Sequence, residues 1–368
     1  MFDHILGNQK IKSYLTRIVE RETVGNSLLF AGPDGVGKSL FADAFAKLLL
    51  CRIDPKGINK HKIESGNHPD IRIYRPEGKI GMHSIASMRQ FSEEVYQSPF
   101  EAKCKVFIIH EADRMLSFSA NALLKTFEEP SYDTVIILVS SSPSALLPTV
   151  LSRCRALYFN PLDELEIASF ITQRFGKTNE ESKLLARMAH GSIGQAVRLT
   201  NEGVGPVRSL MLDLLVKGQL SRYKELTEVA SQIAERVEAE KKEIEVEVRK
   251  VLLRGMGDDL TSVQKQGLEK EVEGAVTMHA MQEAYALFDM ILSWYRDLHL
   301  FHLKGNLAFL MHHDYLEACR AAAAKGSIMP IEDVQKAIAE TKIAFERSTS
   351  LQICLENLFL KLNILFVK

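Results

Sequence analysis

The segment Gly32-Pro33-Asp34-Gly35-Val36-Gly37-Lys38-Ser39 has the residues and the spacing to hold a phosphate. It fits GxxxxGK[ST], with an apolar run from Ser27 to Ala31 before it and a helical pattern from Phe41 to Leu50 after it. Gly32, Gly35 and Gly37 let the chain curl until several amide N–H groups face one point. A helix N-terminus adds positive potential there. Lys38 has the reach for the outer phosphates of ATP, and Ser39 is the residue type that holds Mg²⁺ if nucleotide binds. The alternative is an incidental glycine-rich turn, and the strand–loop–helix context argues against it.

Hydrolysis needs a carboxylate at the end of another strand to hold Mg²⁺, and often a second to activate water. The matching segment is Val106-Phe107-Ile108-Ile109-His110-Glu111-Ala112-Asp113. Glu111 stands where a catalytic base belongs, but the residue before it is His110 rather than aspartate. A neutral imidazole is a poor ligand for a hard, oxygen-preferring ion, and a protonated one repels it. The site therefore reads as degenerate, with Glu111 a vestigial or weak base.

These loops need a scaffold of strands and helices. Apolar runs at Ser27 to Ala31, Ile71 to Tyr74, Val106 to Ile109, Val135 to Val139 and, more weakly, Ala156 to Phe159 predict five strands. Helical patterns lie between them at Phe41 to Leu50, Ile85 to Tyr96 and Ala120 to Glu129. Alternation of this kind implies an α/β fold, a parallel sheet with helices on both faces. From Asp163 the strand signals stop, and Leu165 to Phe175, Glu180 to His190 and Gly194 to Thr200 predict three short helices. Gly203, Gly205 and Pro206 mark a boundary. Beyond it, Leu226, Val229, Ile233 and Val237, then Ile244, Val248 and Leu252, keep helical spacing. Glu243 to Val248 also alternates like a strand, but the longer register favours helix. Arg254 to Gly274 reads as a mobile connection, and helices resume over Met278 to Leu303, Ile331 to Ser348 and Leu351 to Phe366.

A chain of 368 residues implies two or three domains. Lys plus Arg number 46 against 47 Asp plus Glu, so the overall balance does not mark a nucleic-acid binder. Basic surface for DNA must be local, as at Arg89 and Lys125, or shared between subunits. There is no base-reading motif, so any DNA contact is expected at the backbone. The five cysteines, Cys51, Cys104, Cys154, Cys319 and Cys354, are odd in number and form no CxxC pair. That pattern predicts a reduced, cytoplasmic protein. Met1-Phe2-Asp3-His4 begins no signal peptide, and no apolar stretch is long enough to span a bilayer, so no membrane partner is expected.

Further motifs follow in order. They are Phe2 to Gln9, His68-Pro69-Asp70, Asn121-Ala122-Leu123-Leu124-Lys125-Thr126-Phe127-Glu128-Glu129-Pro130, and Pro148 to Leu151 leading into Ser152-Arg153-Cys154. With the phosphate loop they resemble the AAA+ clamp-loader family of bacterial DNA polymerase III. The resemblance is strong over roughly the first 200 residues and weaker to the end, where Leu287 to Leu298 and Leu355 to Leu360 resemble the family's collar.

The resemblance implies an AAA+ core over residues 1–162, a helical lid over 163–204 and a helical collar over 205–368. It makes Arg153 an arginine finger acting in trans, a task suited to a planar guanidinium; a plain surface arginine is the alternative. Phe2 to Gln9 would lie near the adenine. Ser141, within Ser140-Ser141-Ser142, falls at the first sensor, or else merely caps its own strand end. Gly191 to Leu199 matches a lid segment whose motor versions carry arginine at the position of Gly194, and Arg198, a turn later, does not simply replace it. Loss of the metal carboxylate and the sensor arginine, with the finger kept, resembles the delta-prime branch of the family. That implies a subunit with weak or absent ATPase activity, assembled with gamma/tau and delta subunits to load a sliding clamp on primer–template DNA. Relatives often carry four zinc cysteines before His68; here only Cys51 is present, with His61 and His68, so no zinc is expected. Two alternatives stay open: an active motor subunit of the same loader, and a nucleotide-responsive adaptor outside replication. No function is assigned to the charged stretch 232–277.

Overall fold

The computed structural model describes residues 2–364 except 3, 22–23, 54–59, 66–67, 132, 204, 219, 254–261 and 325–327. The chain divides into two compact units, one of Met1–Glu77 with Gly81–Asn201, the other of Gly78–Ile80 with Glu202–Lys368.

The first unit is built on strands β1 (Ser27–Ala31), β2 (Ile71–Tyr74), β3 (Lys105–Ile109), β4 (Thr134–Ser140) and β5 (Arg155–Tyr158). They form one sheet in the order β2-β3-β4-β1-β5, every pair parallel. The three central strands are buried at every residue, which is why they read as unbroken apolar runs rather than alternating ones. The strand period still sorts side chains between two faces. Leu28, Phe30, Val106, Ile108 and Ile137 pack on one side with Leu15 of α1 (Gln9–Glu20) and with Phe41 and Phe45 of α2 (Lys38–Ile53). Leu29, Phe107, Ile109, Ile136 and Leu138 pack on the other. After the short α3 (Lys60–Ser65), helix α4 (Ile85–Val95) supplies that second face with Phe91, and α5 (Ser117–Ala122) and α6 (Leu124–Glu128) supply Ala120 and Phe127.

The single helix expected over Ala120 to Glu129 is thus two. The two meet at Leu123, a right-handed residue with stretched dihedrals (φ −91°, ψ 0°) whose N–H is shared among carbonyls of the preceding turn. Leu123 is buried, so packing of its side chain outweighs helix continuity.

A one-turn helix, α7 (Pro148–Leu151), precedes β5. Three helices then close the unit: α8 (Glu164–Phe175), α9 (Asn179–Met188) and α10 (Ile193–Glu202). Their ends follow the sequence signals. Asp163 caps α8, Gly176 ends it in left-handed geometry, and Thr178 with Glu181 forms a capping box on α9. They bury a small core of their own around Ile167, Ile171, Ala186 and Ala196.

The described helices of the second unit are α11 (Pro206–Lys217), α12 (Tyr223–Leu253), α13 (Ser262–His302), α14 (Leu316–Ala324), α15 (Ile331–Glu346) and α16 (Leu351–Lys361). Leu226, Ala230, Ile233 and Val237 of α12 line its core with Phe288, Ile291 and Trp294 of α13 and Leu355 and Phe359 of α16. Three-to-four spacing places each set on one stripe of its helix. The alternation at Glu243 to Val248 lies inside α12, with Ile244 and Val248 half-buried and the glutamates between them exposed.

The expected mobile connection from Arg254 to Gly274 is corrected in its second part. Residues 254–261 lie outside the described residues, but Ser262 to Gly274 belongs to α13. Arg249 of α12 bonds both carboxylate oxygens of Glu269 at 3.1 and 3.0 Å, joining the two helices there. Of the helix expected to Phe366, residues 365–366 also lie outside the described residues.

Candidate functional site

The phosphate loop leaves the C-terminal end of β1 and enters α2, so the sheet's own topology sets it at a strand end beside a helix N-terminus. The turn needs glycine. Gly32 has φ +151°, and a Cβ there would lie 2.4 Å from the Phe159 carbonyl oxygen. Because that neighbour is backbone, a Gly32→Ala variant is expected to lose about 2–4 kcal/mol of stability, combining left-handed strain with overpacking. Urea denaturation of the variant measures it, and an unchanged midpoint contradicts the stated packing.

Gly35 (φ +73°) meets the start of α10: its carbonyl accepts from the Gly194 N–H at 3.1 Å, and a Cβ would collide with the Ser192 hydroxyl oxygen. Gly194 thus rests its backbone on the phosphate loop. Arg198 sits a turn further along α10, half-buried. Gly37 also has positive φ (99°), and Ile5 of the N-terminal segment is near it, with Phe2 stacked on Phe41 at 5.6 Å. Asp3 of that segment lies outside the described residues.

Lys38 is buried, and its ammonium donates to the Gly32 and Pro33 carbonyls, both at 2.7 Å. Burial lowers its pKa, and Asp34, Glu111 and Asp113 pull the other way. Ser39 faces the end of β3, where its hydroxyl lies 3.3 Å from His110 Nδ1. His110 is buried, and its Nε2 finds no hydrogen-bond partner among the described residues. Burial, then the charges of Arg75 and His83, bring its pKa down to about 3, so the ring is neutral near pH 7.

His83 was not singled out by sequence reasoning. It is fully buried, and its Nε2–H donates to the His110 carbonyl at 2.8 Å, fastening the strand end. Nothing in local spacing around His83 signals this.

Glu111 follows with φ +47°, a left-handed residue that turns the chain out of β3. Burial first, then the like charges of Asp34 and Asp113, raise its carboxyl to about 7 against the pull of Lys38 and Arg114. Near neutral pH such a group can still take a proton from water. What the site lacks is an anionic ligand for the metal at position 110. The donors present do not fit Mg²⁺: an imidazole bonded to the serine hydroxyl replaces a carboxylate, and the Arg75 charge lies close enough to be felt at that ring.

The neighbouring strand adds a residue that sequence reasoning named only as part of the polar run around Ser141. Ser140, the last residue of β4, is fully buried, and its hydroxyl donates to Asp113 at 2.5 Å while accepting from the Ser142 N–H at 3.1 Å. Ser141, the expected sensor, lies just past the strand, half-buried. Strand alternation could have pointed to Ser140, because it continues the face of Ile136 and Leu138.

Arg153 follows α7. Its Nε donates to Glu128 at 2.8 Å and its Nη1 to the Thr149 carbonyl at 3.1 Å, and the guanidinium stays partly exposed. Two motifs recognised separately, around Glu128 and around Arg153, thus meet. Cys51, at the end of α2, is half-buried against the apolar core, and His68 Nδ1 accepts from the Asp70 N–H at 3.1 Å. Among the described residues no cluster of three His, Cys, Asp or Glu side chains is arranged to hold a metal, and no helix is long and apolar enough to cross a membrane.

The two titrations at the end of β3 have opposite signs. Between about pH 6.5 and 3 the unfolded chain binds a proton at position 110 that the native ring refuses, so this term loses stability as pH falls. Between about pH 4.5 and 7 native Glu111 holds a proton that the unfolded chain releases, so its term loses stability as pH rises. A His110→Asn variant removes the first term alone. Relative to wild type it should gain roughly 1 kcal/mol per pH unit on acidification from pH 6 to 5. Urea unfolding at the two pH values checks it; a pH-independent difference counts against a buried neutral His110.

The sequence model of the family described as "DNA polymerase III, delta subunit" matches residues 7–163. The chain is 33% identical over 196 residues to the DNA polymerase III subunit delta' of Bacillus subtilis, covering 52% of this chain and 58% of that protein. It is 36% identical over 136 residues to the Pseudomonas aeruginosa delta' subunit, covering 35% of this chain and 41% of that one. The Haemophilus influenzae DNA polymerase III subunit tau/gamma is 30% identical over 214 residues, 55% of this chain and 31% of that protein. The chain thus spans less than two thirds of the length of each of these relatives.

Proposed function

We propose that this chain, a clamp-loader delta-prime-like AAA+ protein over its first unit, is a subunit of the DNA polymerase III clamp loader. It helps place a sliding clamp on primed DNA, with little or no ATP hydrolysis of its own. One observation carries this reading beyond the family likeness: the phosphate loop keeps its full motif, while the metal carboxylate is replaced by His110 bonded to Ser39. Gly194 at the sensor position and the partly exposed, oriented Arg153 agree with it. A guanidinium held at its base by a carboxylate, with its edge in solvent, is suited to a phosphate on a neighbouring subunit.

In this reading the partners are gamma/tau and delta subunits, the clamp and primer–template DNA. The core spans residues 1–162, the lid 163–204 and the collar 205–368, and the location is cytoplasmic. If ATP binds, Gly32, Gly35, Gly37, Lys38 and Ser39 form its phosphate cradle, with Ser141 at its edge. Zinc has no role.

The test is reconstitution. The chain is mixed with gamma/tau and delta subunits, and clamp loading on primed DNA is followed with and without it. Co-elution as one complex, and loading that needs the chain, are expected. Failure to associate with those subunits sinks the proposal in favour of an adaptor outside replication.

A further inference from the structure

We infer that the phosphate loop of this chain takes nucleoside di- or triphosphate without a divalent cation. The inference deepens the nucleotide-site part of the proposed function and rests on that reading of the loop.

Two halves of a phosphate site are separable here. The anion-binding half is intact: the glycine turns at Gly32, Gly35 and Gly37, the N-terminus of the 16-residue α2, and Lys38 at its first turn. The cation-binding half is replaced. In a metal-assisted site the serine hydroxyl and a strand-end carboxylate hold the ion between them. Here the serine hydroxyl lies 3.3 Å from His110 Nδ1, a direct hydrogen bond between the two positions that would otherwise both face the ion.

A neutral or protonated imidazole carries no negative charge, so it cannot supply what Mg²⁺ demands. The His110 ring is also enclosed, and His83 holds the His110 backbone carbonyl at 2.8 Å. Ser140 meanwhile engages Asp113 at 2.5 Å, which draws one of the nearby carboxylates into a protein hydrogen bond. The positive charge opposite the phosphates then comes from fixed groups, Lys38 and the α2 N-terminus, rather than from an ion recruited with the nucleotide. A site of this kind holds nucleotide without the geometry for turnover.

The experiment is equilibrium binding of ATP and of ADP to the full chain by calorimetry, in excess EDTA and again in millimolar Mg²⁺. Affinities that agree within about threefold in the two conditions support the inference. Affinity more than about threefold tighter with Mg²⁺ overturns it. Absence of binding in both conditions overturns it as well. Lys38→Ala locates the signal, and loss of binding in both buffers is expected. His110→Asp restores a carboxylate and is expected to introduce a Mg²⁺ preference of about tenfold. Should that variant fail to fold, the wild-type comparison alone decides. Clamp loading is read separately, so a chain that loads clamps but needs Mg²⁺ for nucleotide overturns this inference and leaves the proposed function standing.

Discussion

Replacing Arg153 with alanine in a reconstituted loader should reduce ATP hydrolysis at the adjoining subunit's site by about 10³-fold, and clamp loading with it. The size follows from what a finger does. Its donors meet phosphate oxygens only as charge develops in the transition state, so its loss falls on the chemical step. Arg153→Lys should rescue little, because an ammonium is a point charge without the planar fork. Glu128→Ala removes the 2.8 Å contact that orients the guanidinium. It leaves the charge in place, and exposed pairs of this kind contribute about 1 kcal/mol or less, so a loss of only a few-fold is expected. Lys38→Ala in the same complex should load within about twofold of wild type, since the chain's own site lacks the metal carboxylate for turnover. The comparison is decisive in both directions. A complex crippled by Lys38→Ala and indifferent to Arg153→Ala would mean that this chain's own site drives the cycle.

The largest effect on stability should come from Asp70→Ala. The Asp70 side chain is fully buried and accepts three backbone N–H groups, from Phe100 at 2.7 Å, Glu101 at 2.9 Å and Ala102 at 2.7 Å. Burial by itself would raise the carboxyl's pKa, but the three amide donors reverse that and hold it below the ordinary value. Its carbonyl also accepts from Val106 N at 2.8 Å, at the start of the β2–β3 pairing. Removing the carboxylate leaves three amides without an acceptor in a closed space. A cost of about 3–5 kcal/mol is expected. Asp70→Asn keeps one acceptor oxygen and should fall between. Denaturant midpoints at constant m-value measure both. The depressed pKa fixes the sign with pH. Asp70's contribution is present above the ordinary aspartate pKa and is lost as pH falls through the lower native value. A midpoint unchanged in Asp70→Ala would remove Asp70 as the tie between the strand and the 100–102 loop.

His68-Pro69-Asp70 shows how a motif and its work can be separated. In sequence it served only as a mark of family. In the structure it is a staple: His68 Nδ1 accepts from Asp70 N, the His68 carbonyl accepts from Ile71 N at 3.0 Å, and the Asp70 carboxylate gathers amides some thirty positions away.

The amino-acid sequence by itself determined the five strands, most of the helices and the phosphate loop. Each of these depends on neighbours a few positions away: an apolar run long enough for a buried strand, a three-to-four stripe, glycines at Gly32, Gly35 and Gly37 before Lys38 and Ser39. It also displayed the replacement at position 110, because that departure lies inside a contiguous motif. Tertiary structure alone decided the pairings. Ser39 meets His110 across 71 positions, Ser140 meets Asp113 across 27, Arg153 meets Glu128 across 25, and His83 reaches the His110 carbonyl across 27. Two breaks in expectation have the same origin: Leu123 interrupts a helix to bury its side chain, and residues 262–274, charged and glycine-containing, are helical where Glu269 meets Arg249. The physical reason is that backbone period is a local property, written in the spacing of side chains. The partner of a buried polar group depends on which distant segments the core brings together, and no spacing along the chain records it.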